Sequence, residues 1–120
     1  MKISVYLITK NESAHLGQVL ASCQDADEVI VVDSGSTDGT LEIARASGAK
    51  VIHQDWLGFA RQKDFALRQC TNEWVLNLDG DEILSEGAIP RIRQAIEAGT
   101  ASGYRIARDD EFMGESMSRS

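Results

Sequence analysis

The sequence predicts an α/β fold, a Rossmann-like doubly wound and mainly parallel sheet in the strand order 3-2-1-4, with a further strand after the fourth helix. Two observations predict it. Apolar runs of strand length alternate with stretches of helical periodicity, and the connections between them are short. Strand, helix, strand with short links describes parallel strands joined by right-handed crossovers, with helices covering both faces of the sheet.

The first strand is Ile3 to Ile8, rich in β-formers. Leu16, Val19, Leu20 and Cys23 then fall on one helical face, with Ser13 as the expected cap. Glu28 to Asp33 is the second strand. A helix from about Asp38 to Ser47 follows, closed by Gly48, where a left-handed residue is needed. Lys50 to Gln54 reads as a third strand, Gly58 to Gln69 as a helix and Trp74 to Leu78 as a fourth strand. Ser85 is the expected cap of a helix carrying Ile89, Ile92 and Ile96, with Pro90 in its first turns and a break at Gly99. Gly103 to Arg108 is the expected fifth strand. Residues 109–120 show neither period nor caps and are expected to be partly disordered.

The 120 residues are 42% hydrophobic and 26% charged, which suits one domain with a real core. A net charge of -7 argues against a nucleic-acid partner, which calls for basic stripes. No apolar stretch is long enough to span a bilayer, and the run after Met1-Lys2 stops too soon for a signal peptide. Cys23 and Cys70 lack metal-type spacing and read as buried free thiols of a reducing compartment, so the expected location is the cytoplasm. His15 and His53 have no ligand-like spacing and are expected at the surface. Trp56 and Trp74 are expected to pack, although Trp56 lies in a loop.

Polar loops follow three strands directly: "TKNE" after the first, "DSGSTDG" after the second and "DGDE" after the fourth. In a doubly wound sheet such loops share the carboxyl edge, where ligands bind. In the order 3-2-1-4, Asp33 and Asp79 would stand about two strand spacings apart, roughly 10 Å, a span suited to a nucleotide. Asp79 and Asp81, at i and i+2, share a face if extended, and Glu82 adds a third acid. Like charges this close call for a cation, and an all-oxygen set favours Mg²⁺ or Mn²⁺. Each loop alone has a plainer explanation. Asp-Gly is a common turn dipeptide, and "DSGSTDGT" alone reads as a loop and helix cap. Their joint placement carries the expectation of a ligand site.

"ISVYLITKNE", "EVIVVDSGSTDGT", "GFARQKDFAL" and "WVLNLDGDE", in this order between Ile3 and Arg108, resemble family 2 inverting glycosyltransferases of the GT-A fold. Within that family the chain is most similar to the bacterial branch that adds glucose to the lipopolysaccharide core. The resemblance implies a donor-binding half only, with residues 1–108 as the nucleotide-sugar-binding subdomain and 109–120 as the start of an acceptor region.

It also implies roles. Thr9, Asn11 and Glu12 would line the nucleoside pocket, and Asp33 would accept a hydrogen bond from the base, typically uracil. Asp79 and Asp81 match a DxD motif, Asp79 nearer the ribose and Asp81 the direct metal ligand. Lys63 or Arg61 would approach the diphosphate, while Asp64 stands where the family often has asparagine. The catalytic base is expected beyond Ser120, so Asp109, Asp110 and Glu111 receive no such role. The implied partners are a nucleotide-sugar donor, usually a UDP-sugar, and a glycan or lipid-linked acceptor at the inner face of the membrane, with self-association through uncovered faces. Two rivals stand beside this reading: a nucleotide-binding module without turnover, and a receiver-like phosphoryl-transfer domain. The second lacks the late lysine it needs, since no lysine follows Lys63.

Overall fold

The computed structural model describes residues 2–98, 106–108 and 116–119. Parallel strands β1 (Ile3–Thr9), β2 (Glu28–Asp33), β3 (Lys50–His53) and β4 (Trp74–Leu78) alternate with helices α1 (Leu16–Ser22), α2 (Thr40–Ala46), α3 (Phe59–Gln69) and α4 (Ala88–Glu97). The parallel strands lie in the expected order β3-β2-β1-β4. β5 (Ile106–Arg108) is the further strand after the fourth helix, and its predicted start at Gly103 lies outside the described residues, as does Gly99. The stretch after Arg108, whose pattern announces no element, supplies β6 (Ser116–Arg119), inserted antiparallel between β4 and β5. Short antiparallel pairing of this kind is set by the neighbouring strand's open edge, which local periodicity does not report.

Alternation along the central strands builds both layers. Ile3, Val5 and Leu7 of β1 pack with Leu76 and Leu78 of β4 against α1 and α4, through Leu16, Val19, Leu20, Ile89, Ile92 and Ile96. Tyr6 faces the other way and joins Ile30, Val32 and Val75 against Ala66 of α3, with Ile8 at the margin. This is why β4 is buried at every position: a parallel strand covered on both faces needs a continuous apolar run. Pro90 occupies the third position of α4, where its missing N–H is one that no helix turn would have satisfied.

Three helix starts differ from expectation, each for an identifiable reason. α1 begins at Leu16 rather than being capped by Ser13. The Glu12 carbonyl already accepts the His15 and Leu16 amides, and the Ser13 amide donates to Asp38 Oδ2 at 3.3 Å. α2 begins at Thr40 because Asp38 Oδ1 takes both the amide and the hydroxyl of Thr40, holding the chain in a turn just before the helix. α4 follows Gly87, whose φ of 76° is the left-handed conformation, while the Ser85 hydroxyl accepts from Arg91 instead of capping.

Both cysteines are free; Cys23 is buried and Cys70 half-buried. Burial pushes each thiol up to about 12, which leaves them inert as nucleophiles.

Candidate functional site

The register places the site. Thr9 pairs with Asp33 across β1 and β2, and Leu7 pairs with Leu78 across β1 and β4. The loops after β1, β2 and β4 therefore leave the sheet at one carboxyl edge and at nearly one level. The loops after β1 and β2 are also bonded to each other. The Asn11 amide donates to Ser36 Oγ at 2.8 Å, Asn11 Oδ1 accepts from the Thr37 amide at 2.8 Å, and the Glu12 amide donates to Thr40 Oγ1 at 2.9 Å. Asn11 holds a left-handed φ of 54°, a conformation that asparagine tolerates better than most residues.

Asp33 is the hub of this edge, 1% exposed. Its Oδ1 accepts from Thr9 Oγ1 at 2.8 Å and Ser36 Oγ at 2.5 Å, and its Oδ2 accepts from the amides of Gly35 at 2.9 Å and Ser36 at 2.8 Å. Burial alone would raise this carboxyl, but the bonds from Ser36, Gly35 and Thr9 outweigh it and hold the group below the usual range. A carboxylate has about four lone-pair sites, so the chain's own donors already use all of them.

The acidic loop after β4 meets helix α3. Asp79 continues the face of Val75, and its Oδ1 lies 3.9 Å from Lys63 Nζ. Arg61 is exposed, and Asp64 is paired with Arg68 at 2.7 Å, one turn along α3. Glu82 closes the turn by accepting the Asp79 amide at 3.1 Å while its own amide donates to the Asp79 carbonyl. Gly80 is buried beneath the Glu12 side chain, and a Cβ there would stand 2.7 Å from Glu12 Cδ. The glycine of "DGDE" is thus explained by this close approach as well as by the turn. Glu12 has its carboxyl raised, first by burial and then by the charge of Asp81, with Asp38 and Asp79 adding to it and His15 opposing.

Among the described residues, no group of three or more potential metal ligands forms a ready-made cage. Asp79 and Asp81 are exposed carboxylates, and their charges add to the burial that raises Glu12. That donor chemistry fits Mg²⁺ or Mn²⁺, which need only one or two carboxylates when substrate phosphates and waters complete the shell.

Beside these loops lies a surface cavity of about 420 Å³, walled by Ile8, Thr9, Glu12, Ser34, Trp56 and Phe59. Trp56 is half exposed rather than packed in the core, whereas Trp74 is buried and both histidines are exposed. The loop carrying Trp56 is clasped by Gln62. That fully buried side chain accepts the Leu57 amide at 3.0 Å and donates to the Gln54 carbonyl at 2.9 Å. The sequence signal for this clasp was a glutamine one turn before Ala66, on the apolar face of α3.

The depressed carboxyls give a pH prediction. The Ile3 amide holds Asp27 low, against burial and with help from Arg93; bonds from Thr71 and Ser4 outweigh burial at Glu28. With Asp33, these groups bind protons more weakly folded than unfolded. Their stabilisation is therefore present above the ordinary carboxylate range and lost as pH falls through the lower folded values. Glu12 has the opposite sign, its contribution declining as pH rises through its raised value. The melting temperature should begin to fall below about pH 4. Thermal melts showing no loss down to about pH 3 would contradict the bonding described for these three carboxylates.

The sequence profile of glycosyl transferase family 2 matches residues 4–118. An uncharacterized glycosyltransferase of Rickettsia prowazekii is 54% identical over 86 residues, covering 71% of this chain and 30% of that protein. The lipopolysaccharide core biosynthesis glycosyltransferase LpsC of Rhizobium meliloti is 34% identical, covering 95% of this chain and 44% of that protein. Among solved structures, glucosyl-3-phosphoglycerate synthase from Mycobacterium tuberculosis, in complex with Mn²⁺, UDP and phosphoglyceric acid, aligns with a TM-score of 0.74 at 25% identity. That alignment covers 98% of this chain and 55% of the synthase. The chain therefore spans only part of these proteins, from 30% to 55% of their length. Order of strands, edge loops, sequence profile and relatives converge: the chain belongs to glycosyl transferase family 2.

Proposed function

We propose that this chain is the donor-binding half of an inverting glycosyltransferase that moves a sugar from a UDP-sugar to an acceptor hydroxyl. The acceptor is a glycan or lipid-linked saccharide of the bacterial surface, in keeping with the likeness to LpsC. The observation that carries the reading is the convergence of Thr9, Asp33, Lys63 and Asp79 at one carboxyl edge, with a cation-seeking acidic loop at one end and a cavity at the other.

In this reading Thr9, Asn11 and Glu12 border the nucleoside. Asp33 takes the base's N–H on Oδ1 in place of the Ser36 hydroxyl, which then turns outward. Asp79 would lie toward the ribose and Asp81 would hold the divalent cation. Lys63, 3.9 Å from Asp79, would neutralise diphosphate charge. When bound, the cation supplies stabilisation of the negative charge that collects on the leaving group. The new bond joins the acceptor oxygen to the anomeric carbon. The bond from that carbon to the diphosphate oxygen breaks with its electron pair staying on the diphosphate, and the hydroxyl proton passes to a general base. No described residue is given that role. Among the described residues no helix is long and apolar enough to cross a membrane.

Calorimetry with UDP and Mn²⁺ tests the proposal directly. Saturable binding is expected, and Lys63→Ala should weaken it by roughly tenfold, as loss of a charge-assisted contact to phosphate does. Absence of UDP binding by the unmutated chain would end the donor-binding reading.

A further inference from the structure

We infer that Trp56 and Phe59 form the wall on which the donor's base stacks, an inference that rests on the nucleotide-binding reading above. Both rings are exposed, Trp56 by 51% and Phe59 by 73%, and they meet edge to face with centroids 4.9 Å apart. Large aromatic groups left in water beside a cavity mark a surface awaiting a partner. Here the surface is also held in place. Gln62 spends both ends of a fully buried amide on the 54–58 loop, and Gly58 turns into α3 at a φ of 96°. A rigid loop presenting an exposed tryptophan is pre-organised for binding, because little ordering remains to be done when a ligand arrives.

The position selects a base among possible occupants. Phe59 and Lys63 are four residues apart on α3, so they stand on one helix face about 6 Å apart along the axis. Lys63 reaches Asp79 at the acidic end of the site. A ligand with a planar ring at Phe59 and phosphates at Lys63 follows that axis, and its sugar lies at the far end beside β4. Of the cavity's other walls, Ile8 is apolar, whereas Thr9, Lys10, Glu12 and Ser34 bring polar groups that suit the edges of a heterocycle and its ribose. With all acceptor sites of Asp33 already used by the chain, stacking supplies the first hold on the base.

The test follows tryptophan emission and calorimetry in parallel on the 120-residue chain, which has two tryptophans. With Mn²⁺ present, UDP should quench emission, and the quench should vanish in Trp56→Leu and in Trp56→Phe. Affinity for UDP should fall roughly tenfold in Trp56→Leu and in Phe59→Ala, yet stay near the unmutated value in Trp56→Phe, which keeps a stacking ring. Affinity for inorganic pyrophosphate, which has no base, should be the same in all four proteins. UDP binding that is metal-dependent but indifferent to Trp56→Leu and Phe59→Ala overturns the stacking wall and leaves the donor site standing. Equal losses for UDP and pyrophosphate also overturn it, since the rings would then be shaping the phosphate end. Failure of the unmutated chain to bind UDP removes both readings together.

Discussion

Asp33→Ala is expected to destabilise the chain by about 3 kcal/mol, the largest single-residue effect at the site. The substitution strands two amides and two hydroxyls that now converge on one carboxylate. Those of Ser36 and Gly35 are half-buried and water can recover part of the loss, which is why the figure stays below the sum of four bonds. For a domain of this size the melting temperature should drop by roughly 10 °C. The effect should spread to the neighbouring loop, because Ser36 also accepts the Asn11 amide. Asp33→Asn should lose far less. Its carbonyl can keep the two amides, and its NH₂ can donate to Thr9 and Ser36 hydroxyls that turn to accept. In UDP titrations Asp33→Ala should weaken binding equally with and without metal. Urea unfolding that finds Asp33→Ala as stable as the unmutated chain would show that the hub is not holding the loops.

Asp81→Ala is expected to erase the metal dependence of UDP binding. In the unmutated chain, Mn²⁺ or Mg²⁺ should improve affinity on the order of 100-fold, because the cation bridges protein carboxylate and diphosphate. Without Asp81 the remaining carboxylate, Asp79, is 3.9 Å from Lys63, and the ratio of affinities with and without metal should approach about 1. The same substitution removes a charge that raises Glu12, so the Glu12 carboxyl should move back toward its ordinary value, a shift readable by NMR titration. Equal UDP affinity in chelator and in Mn²⁺ for the unmutated chain would remove Asp81 from its role as ligand. Metal dependence that survives Asp81→Ala would move the role to Asp79 or Glu12.

Much of this molecule was written locally. Apolar alternation and helical spacing determined the strands and helices from Ile3 to Glu97, and short connections between them determined a parallel sheet and its order. The polar residues interrupting each strand's carboxyl end, Thr9, Asp33 and Asp79, were visible for the same reason: a buried strand has to have cause to finish on a polar group.

What the tertiary structure decided is of another kind. Ser13 and Ser85 sit where a cap is expected, yet the Ser13 amide is used by Asp38 and the Ser85 hydroxyl by Arg91. Sequence reading assigns Asp33 to a ligand, and folding adds a second task, holding Thr9, Gly35 and Ser36 together. Gly80 reads as a turn residue until Glu12 is found lying across it, and Gln62, to which sequence reading gives no role, clasps the loop of Trp56. In each case the partner comes from another part of the chain, brought within reach by the register of β1 on β2 and β4 or by the packing of α3. Periodicity reports which side chains avoid water; it carries no information on which distant donor will meet which acceptor, because that depends on distances set only when the sheet has formed.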